Sequence, residues 1–347
     1  MKPFSAGNFV GKLVLTIELT KSFEIKTVSI DNSRPANIGQ MLNDKPATQA
    51  LALIPKLFLL CSQAQQAAAL GAIYKALERE LTAEIRKELS HRCALEWLKE
   101  HCWQTWQMQR ELFGADFAIK ESLALTRTLL QSVQKLPPLE LDNPDLSYDF
   151  TDKWAEIGTL LEPLLGVQPA DFNSMKWSEF IDWTQTDSPY ARHFSVNMHN
   201  AASLGSDDSW SAEQESGSLV RQKAHPLVSQ ALDCWGSGLA TRMLSRLVEI
   251  CQVTGNPETA MIPEAGLAYA SRGILEHRVK LDADGNISSY EIDAPTDRYF
   301  SQGGIVESAL INQKLENSDP SWIRQLIWAI DPCVEFQVEI REINSRA

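Results

Sequence analysis

Two cysteines far apart in the chain, Cys61 and Cys333, could together supply thiolate ligands to a metal. Thiolates are soft ligands, and a pair of them can hold one soft metal but cannot fix two. Cys333 closes an Asp-Pro-Cys run, whereas Cys61 lies in an apolar stretch with no other ligand nearby. A lone cysteine is more often a small buried apolar side chain, so a metal site needs support from other segments.

That support comes from two short segments before Cys333. Residues 271–277 read Ser-Arg-Gly-Ile-Leu-Glu-His, and residues 294–296 read Ala-Pro-Thr. Taken singly, Arg272 is typical of a surface ion pair and Thr296 of a turn cap. A guanidinium and a hydroxyl are nevertheless the donors that an anionic acceptor needs. Both residues are therefore candidates for a pocket around a metal.

The segments that must position these residues are mainly helical. Apolar and polar residues alternate from 13 to 19, and 25–30 reads as a second strand, which predicts an N-terminal β-hairpin. Residues 47–136 are rich in Ala, Leu, Glu and Gln and nearly free of Gly, which predicts two or three long helices. Short helices are expected within 154–183, and a longer helix within 225–254.

The C-terminal third is predicted to return to strands. Two runs within 274–292 flank Asp-Ala-Asp-Gly-Asn, a strong hairpin signal. A helix at 322–330 should deliver the Asp-Pro-Cys run, and alternating apolar residues follow it from 334 to 340. Residues 201–218 are rich in Ser, Gly and acids and predict a mobile loop, whose role the sequence does not indicate.

Composition excludes several classes of protein. The 347 residues carry a net charge of −13, which argues against binding nucleic acid or an anionic membrane surface. No stretch approaches the roughly 18 apolar residues that span a bilayer. Six scattered cysteines without a Cys-x-x-Cys pair predict reduced thiols in a cytoplasmic protein.

A second group of metal-ligand types lies within the predicted helices. His91, Cys93, His101 and Cys102 have suitable side chains, but on one continuous helix they cannot converge on a single ion. This group is therefore set aside as a zinc site.

The order of the Cys61 and Cys333 segments resembles the large subunits of nickel–iron hydrogenases. That family has Arg-Gly-x-Leu-x-His, then Pro-Ser/Thr, then Asp-Pro-Cys-x-x-Cys-x-x-His, and an earlier Arg-x-Cys-Gly-x-Cys-x-x-x-His. On this alignment Cys61 matches a cysteine that bridges nickel and iron, and Cys333 matches one that binds nickel alone. The other two cysteine positions hold Phe58 and Phe336.

Three further departures accompany the missing cysteines. The histidines of the two cysteine motifs are replaced by Gln65 and Glu339, and the family's Glu-Gly-His reads Val10-Gly11-Lys12. A nickel–iron pair needs four thiolates, so no nickel is expected here. The loss of two nickel ligands and of the supporting acid implies that the chain is not an enzyme.

The resemblance also implies roles for the remaining pocket residues. The iron of these enzymes carries cyanide and carbon monoxide. Arg272 matches the arginine and Thr296 the hydroxyl that donate to cyanide, and Leu275 and Pro295 would form the apolar wall beside carbon monoxide. His277 matches a histidine of the family and is expected to support the site from behind the ligands.

The same departures are typical of a smaller group, the HupK/HoxV-type hydrogenase maturation proteins. Its members share Arg-Pro, here Arg34-Pro35, a Leu-Phe-x-x-Cys-x-x-Ala-Gln run ending at Gln65, the Ser-Arg-Gly-x-Leu-x-His run and Asp-Pro-Cys-Val. The resemblance extends from about Gly11 to Glu339. It is dense at the two ends, whereas the middle matches by helical character alone.

This resemblance predicts a mainly helical α+β fold, a reduced hydrogenase large-subunit-like fold in one domain, 1–347. An N-terminal β segment (about 9–31) and a C-terminal hairpin and Asp-Pro-Cys tail (about 271–340) should pack at one end of a helical body (about 47–254). That packing would bring Cys61 and Cys333 together. The implied function is a scaffold or carrier that holds an Fe(CN)2(CO) unit transiently on these two cysteines.

Partners follow from the same resemblance. The unit would come from the complex of a small hydrogenase chaperone and the iron-cofactor assembly machinery, and would go to the large-subunit precursor. Three other functions stay open: an active hydrogenase, a metal-free chaperone that mimics the large subunit, and a redox or oxygen-protection protein with a Cys61–Cys333 disulfide.

Overall fold

The computed structural model describes residues 11–35, 38–142, 148–207, 210, 213–260 and 264–343. Phe9 and Val10 of the predicted N-terminal β segment lie outside these ranges, as do 208–209 and 211–212 of the predicted mobile loop. In the part of the chain described, no helix is long and apolar enough to cross a membrane.

Helices form most of the described structure. In chain order they are α1 (Ala47–Leu57), α2 (Ser62–Ala76), α3 (Ala83–Phe113), α4 (Ile119–Gln134), α5 (Thr151–Leu165), α6 (Pro169–Ser174), α7 (Trp177–Trp183), α8 (Pro189–Ala201), α9 (Ser218–Gln222), α10 (Pro226–Trp235), α11 (Leu239–Gly255), α12 (Pro295–Tyr299), α13 (Ile305–Leu310) and α14 (Ser321–Ile330).

Within the described ranges, six strands form two separate sheets. The strands are β1 (Lys12–Leu19), β2 (Ile25–Asn32), β3 (Leu267–Ala270), β4 (Gly273–Leu281), β5 (Ile287–Asp293) and β6 (Glu335–Glu342). The strand orders are β2-β1-β6 and β3-β4-β5.

The first sheet joins the two ends of the described chain. Leu13, Leu15, Ile17 and Leu19 alternate with partly exposed residues on β1 and are fully buried, because alternate side chains of a strand face the same side. β2 pairs with β1 as an antiparallel hairpin, and β6 pairs with it in parallel, with Leu13 opposite Phe336. The expected meeting of the N- and C-terminal β segments therefore holds for β6.

The predicted C-terminal hairpin forms, but it does not join the terminal sheet. β4 and β5 pair antiparallel around the turn at 282–286, and β3 adds a third strand on the far side of β4. The sequence did not predict β3, since its four residues are too few for a clear alternation. The hairpin sheet packs instead against α2.

The helical body has more breaks than the sequence predicted. Residues 47–136 form four helices, not two or three, and α3 alone has 31 residues. The single helix expected within 225–254 is instead two helices, α10 and α11, because Gly236 has a positive φ of 62° and ends α10. The expected helices at 154–183 and 322–330 are present as α5 to α7 and α14.

Close packing of α2 against the hairpin sheet depends on small side chains. Ala64, Ala68 and Ala72 are buried on α2. A Cβ on Gly71 would lie 2.6 Å from the backbone nitrogen of Gly266, so either backbone would have to move.

Gly71→Ala is expected to lower the free energy of unfolding by about 1–3 kcal/mol, the usual cost of overpacking. Urea denaturation followed by circular dichroism measures the change. Gly158→Ala is the matched control, because its Cβ would meet only the methyl carbon of Thr254, at 3.6 Å. That control should be neutral or stabilising by up to about 1 kcal/mol. Equal effects of the two substitutions would contradict the packing argument.

Candidate functional site

Cys61 lies at the start of α2, in the link that follows α1. It is the N-cap residue of α2 but makes no capping bond with its own side chain. Glu96 of α3 supplies the cap, since its carboxylate accepts from the backbone N–H groups of Gln63 at 2.9 Å and Ala64 at 3.0 Å. A buried carboxylate from another helix therefore holds the turn that carries Cys61.

Cys333 is delivered by the end of α14. Asp331 takes a left-handed conformation with φ 69° and turns the chain out of the helix into β6. One Asp331 carboxylate oxygen accepts from Nε2 of Gln104 at 2.8 Å. The backbone N–H of Cys333 donates to the Thr296 hydroxyl at 3.2 Å, which ties the thiol segment to α12.

Both thiols line one cavity with a volume of about 520 Å³. The fold therefore brings together two cysteines that are 333 − 61 = 272 positions apart in the chain, as expected from the sequence. The other predicted pocket residues Arg272, Leu275, Pro295 and Thr296 line the same cavity, and its wall also includes Gly11, Arg34, Pro35, Ile38, Met41, Lys56, Leu57, Phe58, Leu59, Leu60, Gln65, Ala270, Ala294 and Val334.

Arg272 is a buried guanidinium clamped by two carboxylates. Its Nη2 donates to Oε2 of Glu100 at 2.8 Å and lies 3.2 Å from Oδ1 of Asp331. Burial alone would lower the pKa of Arg272, but these two carboxylates outweigh burial and raise it. Its buried Nε has no hydrogen-bond partner among the described residues. Arg272 lines the cavity together with both thiols, so its guanidinium places a permanent positive charge beside them.

The ion pair also fixes the charge state of Glu100. Burial would raise the pKa of this carboxyl, but Arg272 and Lys99 outweigh burial and hold it below its ordinary value. The backbone after Arg272 requires glycine, since Gly273 has φ 142° and a Cβ there would lie 2.4 Å from the Ser216 hydroxyl oxygen. Arg272 is therefore required for its charge beside two carboxylates, and Gly273 is required because a side chain would not fit.

Thr296 and its neighbours complete the wall. Thr296 is 1% exposed, and its hydroxyl accepts from the backbone N–H of Cys333, so the hydroxyl proton is left to donate elsewhere. Pro295 is the first residue of α12, where its missing N–H costs nothing. Leu275 and Pro295 are buried and present apolar surface to the cavity.

His277 lies behind the cavity wall and not in it. Its Nε2 contacts Oε1 of Gln65 at 2.7 Å, and its Nδ1 contacts the hydroxyl of Tyr290 at 2.7 Å. Gln65 lines the cavity and donates from Nε2 to the sulfur of Cys61 at 3.6 Å. The histidine therefore reaches Cys61 through Gln65, the residue that stands where the hydrogenases have a histidine.

The thiol of Cys61 is protonated in the free protein. Burial is the main reason that its pKa is raised to about 12; Cys333 and Glu96 add to the shift, whereas Arg272 and Gln65 oppose it. Any metal bound there must first displace this proton.

The described residues by themselves do not offer a complete metal site. Across the described ranges, no three or more His, Cys, Asp or Glu side chains are grouped so as to hold an ion. Two thiols and several hydrogen-bond donors suit a metal that arrives with ligands of its own better than a bare ion. His101, which the sequence analysis set aside as a ligand, contacts Glu249 at 2.7 Å.

The buried charges that hold the site were not predicted from the sequence. Glu88, Arg92, Glu96 and Glu100 lie four residues apart on α3 and are all buried. A run of charges at this spacing in a long helix was the available signal, since it places four ionisable groups on one face. Their partners, however, come from other elements and are not apparent from spacing.

No protein-family model matches the chain. Curated relatives cover nearly all of it. The hydrogenase expression/formation protein HupV of Azotobacter chroococcum mcd 1 is 28% identical over 95% of this chain and 98% of the relative. HupK of Azotobacter vinelandii is 28% identical with the same coverage, and HoxV of Cupriavidus necator is 24% identical over 90% of this chain and 93% of the relative.

This chain is a relative of the HupK/HoxV-type proteins. Solved structures agree on the fold. The NiFeSe hydrogenase of Desulfovibrio vulgaris Hildenborough matches with a TM-score of 0.65 at 14% identity, covering 91% of this chain and 96% of that one. The enzyme of Desulfomicrobium baculatum matches with a TM-score of 0.66 at 12% identity, covering 91% and 95%. The predicted hydrogenase large-subunit-like α+β fold is confirmed.

Three residues of this chain stand where the hydrogenase motifs have a cysteine or a histidine, and the structure shows what each of them contacts. Phe58 lines the cavity, so an apolar ring stands in the wall at that position. Phe336 packs edge-on against Trp328, with ring centroids 4.7 Å apart. Glu339 lies on β6 and forms a 3.0 Å ion pair with Arg341. None of these three residues offers a thiolate.

Proposed function

We propose that this protein is a non-catalytic maturation factor for nickel–iron hydrogenase, which carries the Fe(CN)2(CO) unit as cargo before its insertion into the large subunit. The observation that carries the proposal is the meeting of Cys61, Cys333, Arg272 and Thr296 in one cavity. The names of the relatives support a role in hydrogenase expression or formation. In this proposal the protein acts in the cytoplasm.

The donor set suits such a cargo. Cyanide nitrogens carry charge and need donors, which the guanidinium of Arg272 and the Thr296 hydroxyl would supply from the cavity wall. Carbon monoxide accepts poorly and is accommodated by the apolar surface of Leu275 and Pro295. Because the iron unit brings three ligands, two thiolates are enough to hold it, and a full set of protein ligands is not required.

The same site disfavours nickel and favours release. Phe58 and Phe336 stand where a hydrogenase would need two further thiolates, so a second metal has no anchors. Each additional anchor on one scaffold strengthens retention. A cargo held by two thiolates is therefore expected to move to an acceptor that offers four.

Infrared spectroscopy tests the proposal directly. The protein is isolated without oxygen from cells that contain the iron-assembly machinery, beside Cys61→Ala and Cys333→Ala. Carbonyl and cyanide bands in the wild type that vanish in both variants are expected. A spectrum without bands, together with recovery of the large subunit, would identify a metal-free chaperone. Reversible thiol oxidation without iron would identify a redox protein, which the raised pKa of Cys61 disfavours because exchange needs a thiolate.

Metal loading should depend on pH, because Cys61 is protonated below about pH 12 in the free protein. Binding a soft probe such as Cd²⁺ releases that proton, so affinity should rise by at least about tenfold per pH unit between about pH 6 and 8. Anaerobic calorimetry measures the slope of the logarithm of Cd²⁺ affinity against pH. This slope should fall by about one in Cys61→Ala. An affinity of the wild type that does not change with pH would contradict metal binding through this thiol.

The cavity opens through an apolar rim that suits a partner protein. Leu59 is 74% exposed, Leu60 41% and Met41 36%, and all three line the cavity. Exposed apolar side chains that cluster around a site are typical of protein contacts. The partners proposed here are the chaperone–assembly complex that loads the iron unit and the large-subunit precursor that receives it.

Leu59→Glu is expected to weaken binding of the large-subunit precursor by about tenfold or more, as for a central apolar contact. Affinity is measured with the purified precursor by biolayer interferometry. Leu130→Glu on α4 is the matched control, since Leu130 is also exposed, at 43%, but does not line the cavity. Unchanged affinity in Leu59→Glu would exclude this rim as a contact.

A further inference from the structure

A chain of buried hydrogen bonds leads from the hairpin sheet to the sulfur of Cys61. The Tyr290 hydroxyl contacts Nδ1 of His277 at 2.7 Å, and Nε2 of His277 contacts Oε1 of Gln65 at 2.7 Å. Nε2 of Gln65 then donates to Sγ of Cys61 at 3.6 Å. Tyr290, His277 and Gln65 are at most 4% exposed, so water does not compete for these bonds.

The chemistry of each group sets the direction of the chain. Burial lowers the pKa of His277 to about 3, so its ring is neutral and carries one N–H. The amide oxygen of Gln65 can only accept, and it therefore takes that proton on Nε2. Nδ1 is left to accept from the Tyr290 hydroxyl. With its oxygen engaged, the amide of Gln65 must turn its NH₂ group towards Cys61.

We propose that Tyr290 and His277 are positioning residues that lock Gln65 as an N–H donor to the Cys61 sulfur. The proposal rests on the proposed function for its consequence, because the sulfur in question would bind the iron cargo. A donor on a thiolate withdraws electron density from the metal and fixes the rotamer of the ligand. Gln65 would thus tune how strongly Cys61 donates to iron.

The elements explain why three residues can act as one unit. His277 lies on β4 and Tyr290 on β5, where Tyr290 pairs with Val279, two residues beyond His277. Their side chains share one face of the sheet, and their rings are 5.4 Å apart. Gln65 lies in the first turns of α2, which packs against β4. The link from sheet to thiol therefore crosses a single helix–sheet interface.

The first test needs no iron. The full chain is labelled with ¹⁵N-histidine, and the tautomer of each of its six histidines is read by NMR at neutral pH. The signal that disappears in His277→Gln is assigned to His277. Protonation on Nε2 with a bare Nδ1 is the expected result. Protonation on Nδ1 would reverse every bond in the chain and overturn the proposal.

The second test reads the consequence on the cargo. In Gln65→Leu, more electron density on iron should shift the carbonyl infrared band to lower frequency, and Tyr290→Phe should shift it less in the same direction. Gln65→His restores a donor and should return the band towards its original position. Gln63→Leu is the control on the same helix, because that side chain contacts Ser62 and not Cys61.

The two failures are distinguishable. A carbonyl band that stays in place in Gln65→Leu would overturn the positioning role, whereas a wild type without bands would overturn the carrier function. In the latter case the NMR tautomer alone decides whether the hydrogen-bond chain has the proposed direction. A merely structural role for Gln65 would change stability without moving the band.

Discussion

Replacing Arg272 by leucine is expected to lower the free energy of unfolding by about 3–5 kcal/mol, because it leaves two buried carboxylates without the cation that they share. Glu100 and Asp331 both face the guanidinium, at 2.8 and 3.2 Å, and both are 3% exposed. Lys99 and Gln104 would remain as partners, so the loss is that of one shared cation and not of the whole cluster. Urea denaturation measures the change.

Two further variants separate charge from geometry at Arg272. Arg272→Lys keeps the charge and should recover much of the stability, but it loses the planar fork and should still lose the cyanide bands. Arg278→Leu is the control, since Arg278 is exposed and its pairs with Glu276 and Glu291 should contribute at most about 1 kcal/mol. An Arg272→Leu protein as stable as the wild type would contradict the clamp described here.

Replacing Glu249 by glutamine is expected to have a comparable effect on stability, about 3–5 kcal/mol. Glu249 is fully buried on α11 and binds Arg221 through two bonds, at 2.6 and 2.7 Å. Arg221 also donates to the carbonyls of Ala270 and Ser271, immediately before Arg272. The substitution leaves the Arg221 cation without its carboxylate and loosens the turn between β3 and β4 that presents Arg272 to the cavity.

The same residue predicts a pH dependence. Burial would raise the pKa of Glu249, but Arg221 and His101 outweigh burial and lower it from 4.5 to about 2. A depressed carboxyl pKa stabilises the fold above about 4.5, and this contribution is lost as the pH falls towards 2. The shift corresponds to roughly 3 kcal/mol.

Denaturation curves measured between these two pH values provide the test. The wild type should lose stability across the window, and Glu249→Gln should lose roughly 3 kcal/mol less, because Glu100 and the other carboxylates still titrate there. Glu291→Gln, on the exposed surface of β5, should follow the wild type. Parallel losses in the wild type and in Glu249→Gln would show that other carboxylates determine acid unfolding.

Local patterns were sufficient for the elements that carry the site. The alternation in β1 and the turn at 282–286 each involve residues close in sequence, and both predictions are confirmed. The helix before Asp331 is likewise confirmed. The breaks between helices were harder to predict from the sequence. Gly236, for example, ends α10 through a positive φ that the composition of the segment does not indicate.

The candidate site could not be predicted from local patterns. Nothing near Cys61 points to Cys333, and their pairing came from the order of motifs that resembles a known family. The fold is confirmed and the two residues share a cavity, whereas their roles as iron ligands remain predictions that the infrared experiment tests.

The sequence by itself determined the kinds of side chain available for chemistry and the elements that carry them. For the candidate site these are two thiols, one guanidinium and one hydroxyl, with Phe58 and Phe336 at the two positions where the resemblance to hydrogenases expects cysteines. Local backbone preferences depend on neighbouring residues, so they can be read along the chain.

Only the tertiary structure decided which charges are buried and what they face. Glu96 caps the helix of Cys61 from 32 to 33 positions away in the chain. Glu100 clamps Arg272 across 172 positions, and His277 contacts Gln65 across 212. The protonation state and orientation of a buried group depend on partners brought from other elements. No pattern along one segment contains that information.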